Sequence, residues 1–124
     1  MKPVLIDINS LVEKENLAMN REDFDKLTNE IWESIMTTRN QGQNEYARTE
    51  ADVLANFKRI GNWKDETQES VLMTYMLKHV DGIMAYINGH TSQRENIRGR
   101  ITDIMVYCML LWAMVEEGED KVGS

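Results

Sequence analysis

A second cysteine is missing, so Cys108 has no partner for an internal disulfide. A lone thiol within an apolar segment suits a reducing compartment and points to a cytoplasmic protein. Proline is as scarce: Pro3 is the sole one, and nothing beyond it breaks a helix by ring geometry. No stretch alternates apolar and polar residues long enough to build a sheet, so the chain reads as all-α. The apolar run 104–115 is shorter than the roughly 20 residues that cross a bilayer and has Asp103 at its edge. Asp7 interrupts the run 4–8, which denies the chain the apolar middle of a signal peptide. No membrane partner is therefore expected. Cations are in deficit, 14 Lys and Arg against 21 Asp and Glu, which argues against binding duplex nucleic acid by counterion release. Also missing are a P-loop, a dinucleotide-binding glycine fingerprint, a zinc spacing of Cys and His, and a nucleophile motif.

What is present is helical periodicity. At 124 residues and 42% hydrophobic content there is room for one domain around one core. A first helix is predicted from Arg21 or Glu22 to about Asn40, with Phe24, Leu27, Ile31 and Ile35 as its inward seam. Gln41, Gly42, Gln43 and Asn44 read as the turn. A second helix is predicted over 45–60, burying Val53, Leu54 and Phe57, and a third runs from a Thr67 cap to about Asn88, burying Leu72, Met76, Val80, Ile83 and Ile87. Gly89 stops it. Ser92 and Glu95 have the form of a capping box and open the fourth helix. Short turns between four helices predict an antiparallel four-helix bundle, with residues 1–20 as an N-terminal arm and 117–124 as a flexible acidic tail.

The most informative stretch is 96–115, where a helix apolar almost all round carries Asn96, Arg100, Asp103 and Tyr107 on one stripe. Burying unpaired charge costs several kcal/mol, so such a stripe must pair internally, meet partners on other helices or line a pocket. Arg100 offers fixed donors for phosphate or carboxylate, Asp103 can hold a divalent ion or orient Arg100, and Tyr107 can stack or donate. On the second helix, Arg48, Asp52 and Asn56 share a polar side that is either a solvated face or part of a ligand site. Glu50 projects among apolar residues, where a carboxylate needs a cation, a metal ion or hydrogen bonds; a structural pairing with Arg100 serves equally well. On the third helix, Lys78 is placed to contact phosphate, and His79 on the apolar side is either a hydrogen-bonded core residue or a catalytic base.

Three segments carry a resemblance: Tyr46 with Ala51-Asp52-Val53-Leu54-Ala55-Asn56-Phe57, then Lys78-His79-Val80-Asp81, then Arg100-Ile101-Thr102-Asp103-Ile104-Met105-Val106-Tyr107. The chain resembles, over about residues 44–116, small phage proteins related to the nucleotide-modification-associated domain. Those are similar to the MazG-like all-α nucleoside triphosphate pyrophosphohydrolases. The resemblance implies a helical, oligomeric, nucleotide-binding protein with Asn56, Lys78, Asp103 and Tyr107 at matching positions. The MazG-like pattern also wants Glu-Glu-x-x-Glu and Glu-x-x-Asp helices that hold magnesium. Here the nearest spacings read Asn44-Glu45-x-x-Arg48, Lys78-x-x-Asp81 and Arg100-x-x-Asp103, with basic residues where carboxylates are expected.

Three expectations follow. One is a protein that holds a nucleotide or cyclic nucleotide by its phosphates, using Lys78 and Arg100 with Tyr107 and Trp63 stacking a base, and sequesters it. Another is a Mg2+-dependent pyrophosphohydrolase with Glu50 and Asp103 as metal ligands and His79 as base. The last makes the polar stripe a specificity device at the seam of a homo-oligomer.

Overall fold

The computed structural model describes residues 18–47, 51–90 and 95–123, except for the side chains of 47 and 120–123. Every regular element among them is helical: α1 (Arg21–Gly42) running into a π-helical turn (Gln43–Ala47), α2 (Ala55–Lys64), α3 (Gln68–Ile87) and α4 (Ile97–Gly123). The all-α expectation holds. No helix among the described residues is long and apolar enough to cross a membrane.

The chain divides into two units, Met1–Trp32 and Glu33–Ser124. The described part of the first is the start of α1, where Asn20 Oδ1 accepts the Asp23 amide at 2.8 Å and Glu22 and Asp23 favour the positive end of the helix dipole. Phe24 was expected on an inward seam and is instead 53% exposed. The period marks an apolar stripe correctly, but burial needs a second surface, and this unit's described residues form a single helix.

In the second unit the predicted turn at 41–44 is overturned, because the helix runs through Gln41 and Gly42 into the π turn. One glycine costs a helix only about 1 kcal/mol, and no proline is present to end it. The predicted helix over 45–60 is corrected for the same reason and for a second one. Asp52 Oδ1 accepts the amide of Leu54 at 2.9 Å and its carbonyl accepts that of Ala55, so a local turn replaces helix just before α2. Val53, expected in the core, is thereby left 39% exposed, whereas Leu54 and Phe57 are buried as predicted. At the far end of α2, Asp65 adopts the left-handed conformation (φ 54°) and Glu66 donates its amide to Gly61 at 2.9 Å. A Cβ on Gly61 would stand 2.6 Å from the Glu66 carbonyl oxygen, so only glycine allows this return.

Thr67 caps α3 as predicted, its hydroxyl accepting from the Ser70 amide at 3.1 Å, and Gly89 (φ 92°) follows its end. α4 opens at Ile97, later than the predicted Ser92, which lies outside the described residues along with its capping box partner role; Asn96 Oδ1 accepts from Arg98 N at 2.8 Å instead. α4 then continues as helix to Gly123, through the residues expected as a flexible tail. The expected N-terminal arm lies outside the described residues over 1–17.

α3 and α4 pack antiparallel, Leu72 lying with Met114 and Gly82 with Arg100. Leu54, Phe57, Val71, Leu72 and Met114 form the core, with Tyr75, Met76, Tyr107 and Leu110 packed against it. Val80 and Ile87, predicted inward, are 38% and 66% exposed, and α4 is not buried all round: Ile101, Trp112 and Val115 face outward. Lys58 ties α2 to the rest, pairing with Asp52 and with Glu117 at 2.7 Å, and Glu117 also accepts from Gln68 at 3.1 Å. These hydrogen bonds, the one to Asp52 foremost, hold the Lys58 ammonium above its ordinary 10.5. A raised ammonium contributes stability that is complete below 10.5 and lost as pH climbs through the folded value. Lys58→Met is expected to lower unfolding free energy by about 1 kcal/mol at neutral pH, because exposed pairs are worth roughly 0.2 to 1 kcal/mol each. The difference between variant and parent in urea midpoints should shrink above the lysine range.

Candidate functional site

The end of α1, the π turn, α2, α3 and α4 line a cleft of about 840 Å³. Its walls bring together five of the residues singled out from the sequence: Asn56, Lys78, His79, Asp103 and Tyr107. Asn56 is buried at the start of α2 and Lys78 is exposed on α3, with no ion-pair partner among the described residues. Arg39 and Arg59 add positive charge to the lining, and Tyr46 and Trp63 add aromatic surface; Trp63 is 74% exposed.

A row of rings lines one wall of the cleft. Phe57 and Tyr75 have centroids 6.2 Å apart, Tyr75 and Tyr107 stack at 6.4 Å, and His79 tilts against Tyr107 at 5.7 Å. These separations are ordinary for aromatic packing. Burial, followed by the negative charge of Asp103, pushes the Tyr107 phenol up to about 12, so it remains a hydrogen-bond donor at neutral pH.

The chemistry concentrates around His79, which is buried on α3. Its Nδ1 stands 3.4 Å from Glu95 Oε2 and its Nε2 3.5 Å from Asp103 Oδ2. The Glu95 approach lacks hydrogen-bond geometry, and Nδ1 is buried without a hydrogen-bond partner among the described residues. Burial raises the Asp103 carboxyl above its ordinary value; the neighbouring His79 and Arg100 pull it back, and the negative charge of Glu95 opposes them. Arg100 Nη1 lies 3.5 Å from Glu95 Oε2, and its guanidinium lies directly over Gly82, where a Cβ would stand 2.4 Å from Cζ.

The stripe on α4 therefore faces α3. Arg100, Asp103 and Tyr107 lie against Gly82 and His79 in turn. Arg100, expected as a direct phosphate contact, sits behind the cleft against Glu95, its side chain 13% exposed. Asn96 caps α4 and lines a second hollow of about 330 Å³ with Ser34, Thr102, Glu95 and Asp103. Asp52 is placed elsewhere, in the Lys58 ion pair. Arg48 and Glu50 lie outside the described residues.

Glu95 was missed as a site residue. It precedes the first turn of α4, so no helical period assigns it a face, and its sequence context reads as a capping box. The loop before α4 delivers it to His79 and Arg100. Its carboxylate belongs to both hollows, as does that of Asp103.

The chain matches no family model, no curated protein and no solved structure.

Proposed function

We propose that the cleft binds a nucleotide, its phosphates drawn to Lys78 and Arg39 and its base against Tyr46, Tyr107 or Trp63. The observation that carries this reading is the convergence of Lys78, Asn56 and aromatic rings on one cleft of about 840 Å³, a size within the usual range for small-molecule sites. Lys78 is the pivotal group. It is exposed beside the cleft, and a charge without an ion pair is the one most available to an anion. The local basic groups matter more than the net charge of −7, because the field inside a cleft is set by its own walls.

Turnover is the weaker reading. A hard magnesium ion held against phosphate wants several carboxylates. The described cluster offers two, with an imidazole between them, and this is a different donor set from the one implied by the MazG-like resemblance. The protein is accordingly read as one that holds its nucleotide, in the cytoplasm and as a homo-oligomer. The outward apolar face of α4, with Ile101, Trp112 and Val115 exposed, supports a seam between copies.

The test is a thermal-shift panel of nucleoside triphosphates, monophosphates and cyclic di- and trinucleotides, each with magnesium and with chelator. A ligand at ~100 times its dissociation constant adds about 2.7 kcal/mol of stability. Lys78→Ala is expected to weaken that ligand about tenfold, or about 1.4 kcal/mol. A shift that survives chelator supports sequestration. A shift that needs magnesium, with pyrophosphate released, selects the hydrolase instead, and no shift across the panel leaves the polar stripe a structural device.

A further inference from the structure

The His79 cluster has a second use that the nucleotide reading does not need. One ring nitrogen of His79 and one carboxylate oxygen each from Glu95 and Asp103 lie within 4.8 Å of one another. Donors around a tetrahedral ion at about 2.0 to 2.2 Å stand about 3.3 to 3.6 Å apart. The 3.4 Å from His79 Nδ1 to Glu95 Oε2 already falls there, whereas Asp103 Oδ2 approaches the other ring nitrogen, Nε2, at 3.5 Å and would have to close from within 4.8 Å of the shared nitrogen to join the same ion. Acidic groups commonly cluster without a metal, so the imidazole decides. The His79 side chain is 8% exposed, and its Nδ1 is buried with no hydrogen-bond partner among the described residues while aimed at Glu95. A buried nitrogen left without a donor or acceptor is costly, and a metal ion satisfies it.

We propose that His79, Glu95 and Asp103 bind one divalent first-row transition ion, of the zinc or manganese class. One imidazole and two carboxylates suit such an ion better than magnesium, which prefers an all-oxygen shell and keeps its waters. The three donors come from α3, the loop before α4 and α4 itself, so the ion would staple the helix pair at the end away from the Leu72 core. Arg100, 3.5 Å from Glu95, orients that carboxylate from behind. The charges then sum to one positive: two carboxylates and Arg100 give minus one, and the ion adds two. A fourth coordination position facing the cleft, which all three donors line, is thus open to an anionic oxygen. That last step alone rests on the nucleotide reading.

The same nitrogen-to-oxygen distances would also suit an imidazolium held between two carboxylates, and the experiment separates the two. Purified, chelator-stripped protein is titrated with Co2+ in the absence of nucleotide, reading visible absorption and the thermal midpoint, with Zn2+ as competitor. The expected result is a single-equivalent Co2+ spectrum that Zn2+ displaces and a raised midpoint. Glu95→Gln, at a position already 46% exposed and so safe for folding, is expected to weaken Co2+ by more than about a hundredfold, since loss of an outer-shell partner alone costs 10- to 100-fold. Asp103→Asn is the second variant. No Co2+ spectrum and no midpoint change overturn the proposal in favour of the ion triad. So does binding that both variants retain, which would put the metal elsewhere. Because no nucleotide is present, failure here leaves the cleft reading untouched.

Discussion

Leu72→Ala is expected to lower the unfolding free energy by about 2 to 5 kcal/mol, a large share of the roughly 5 to 15 kcal/mol that holds a domain together. Leu72 is fully buried where α2, α3 and α4 meet, in a cluster with Leu54, Phe57, Val71 and Met114. Truncation loses the transfer energy of its methyl and methylene groups and leaves a cavity whose walls are three packed helices, which relax only partly. Leu77→Ala is the matched control. It lies on the same helix, is 56% exposed, and should shift stability by no more than about 0.5 kcal/mol. Urea denaturation followed by circular dichroism at both positions checks the pair. Equal losses would mean that the core does not lie between α3 and α4.

Leu72 also illustrates what the sequence could disclose. Its place on an inward face followed from period, and the Thr67 cap and the stop at Gly89 followed from residue type. These features are local: a hydroxyl three residues from an amide, or a glycine at positive φ, needs no distant partner to act. The failures are of two kinds. Val80 and Ile87 share the same period as Leu72 but fall on the exposed side, because a helix with apolar residues on more than half its circumference does not declare which arc meets its neighbour. The break before α2 was missed because Asp52 reads as an ordinary polar position, whereas its carboxylate takes the Leu54 amide and pre-empts the helix.

The site divides along the same line. Asp103 and Tyr107 were legible because polar groups on an otherwise apolar helix are expensive and must answer to something, and both do face α3 and the cleft. His79 was visible as a lone imidazole on an apolar face, but with both a bland and a chemical meaning. The neighbour that gives this imidazole its chemistry is Glu95, which lies outside any helix, before the start of α4, and stands 3.4 Å from Nδ1. No spacing rule encodes that meeting. The same holds for Arg100, whose donors suit a phosphate but whose position over Gly82 turns it toward Glu95.

Gly82→Ala should uncouple stability from ligand binding. In the middle of a helix this exchange normally adds about 0.5 to 1 kcal/mol, because alanine loses less backbone entropy on folding. Here the new Cβ would stand 2.4 Å from Arg100 Cζ and Nε, atoms at the far end of a flexible side chain. The guanidinium will move before the backbone does, so the helix pair should keep its stability or gain some. The cleft pays instead. With Arg100 displaced from Glu95, the positive charge that helps hold the Asp103 carboxyl down is weakened, and the floor beneath a bound phosphate becomes more negative. A unit charge about 8 Å away at an effective dielectric of about 20 is worth about 2 kcal/mol, and partial displacement forfeits part of it. If the cleft holds a nucleotide as proposed, its affinity is therefore expected to fall about tenfold in a variant whose urea midpoint is unchanged or raised, and Arg100→Ala should lose at least as much affinity. Combining the two substitutions should cost no more affinity than Arg100→Ala alone, since both act through one guanidinium. Additive losses would show that Gly82 serves the cleft by some route other than making room for Arg100.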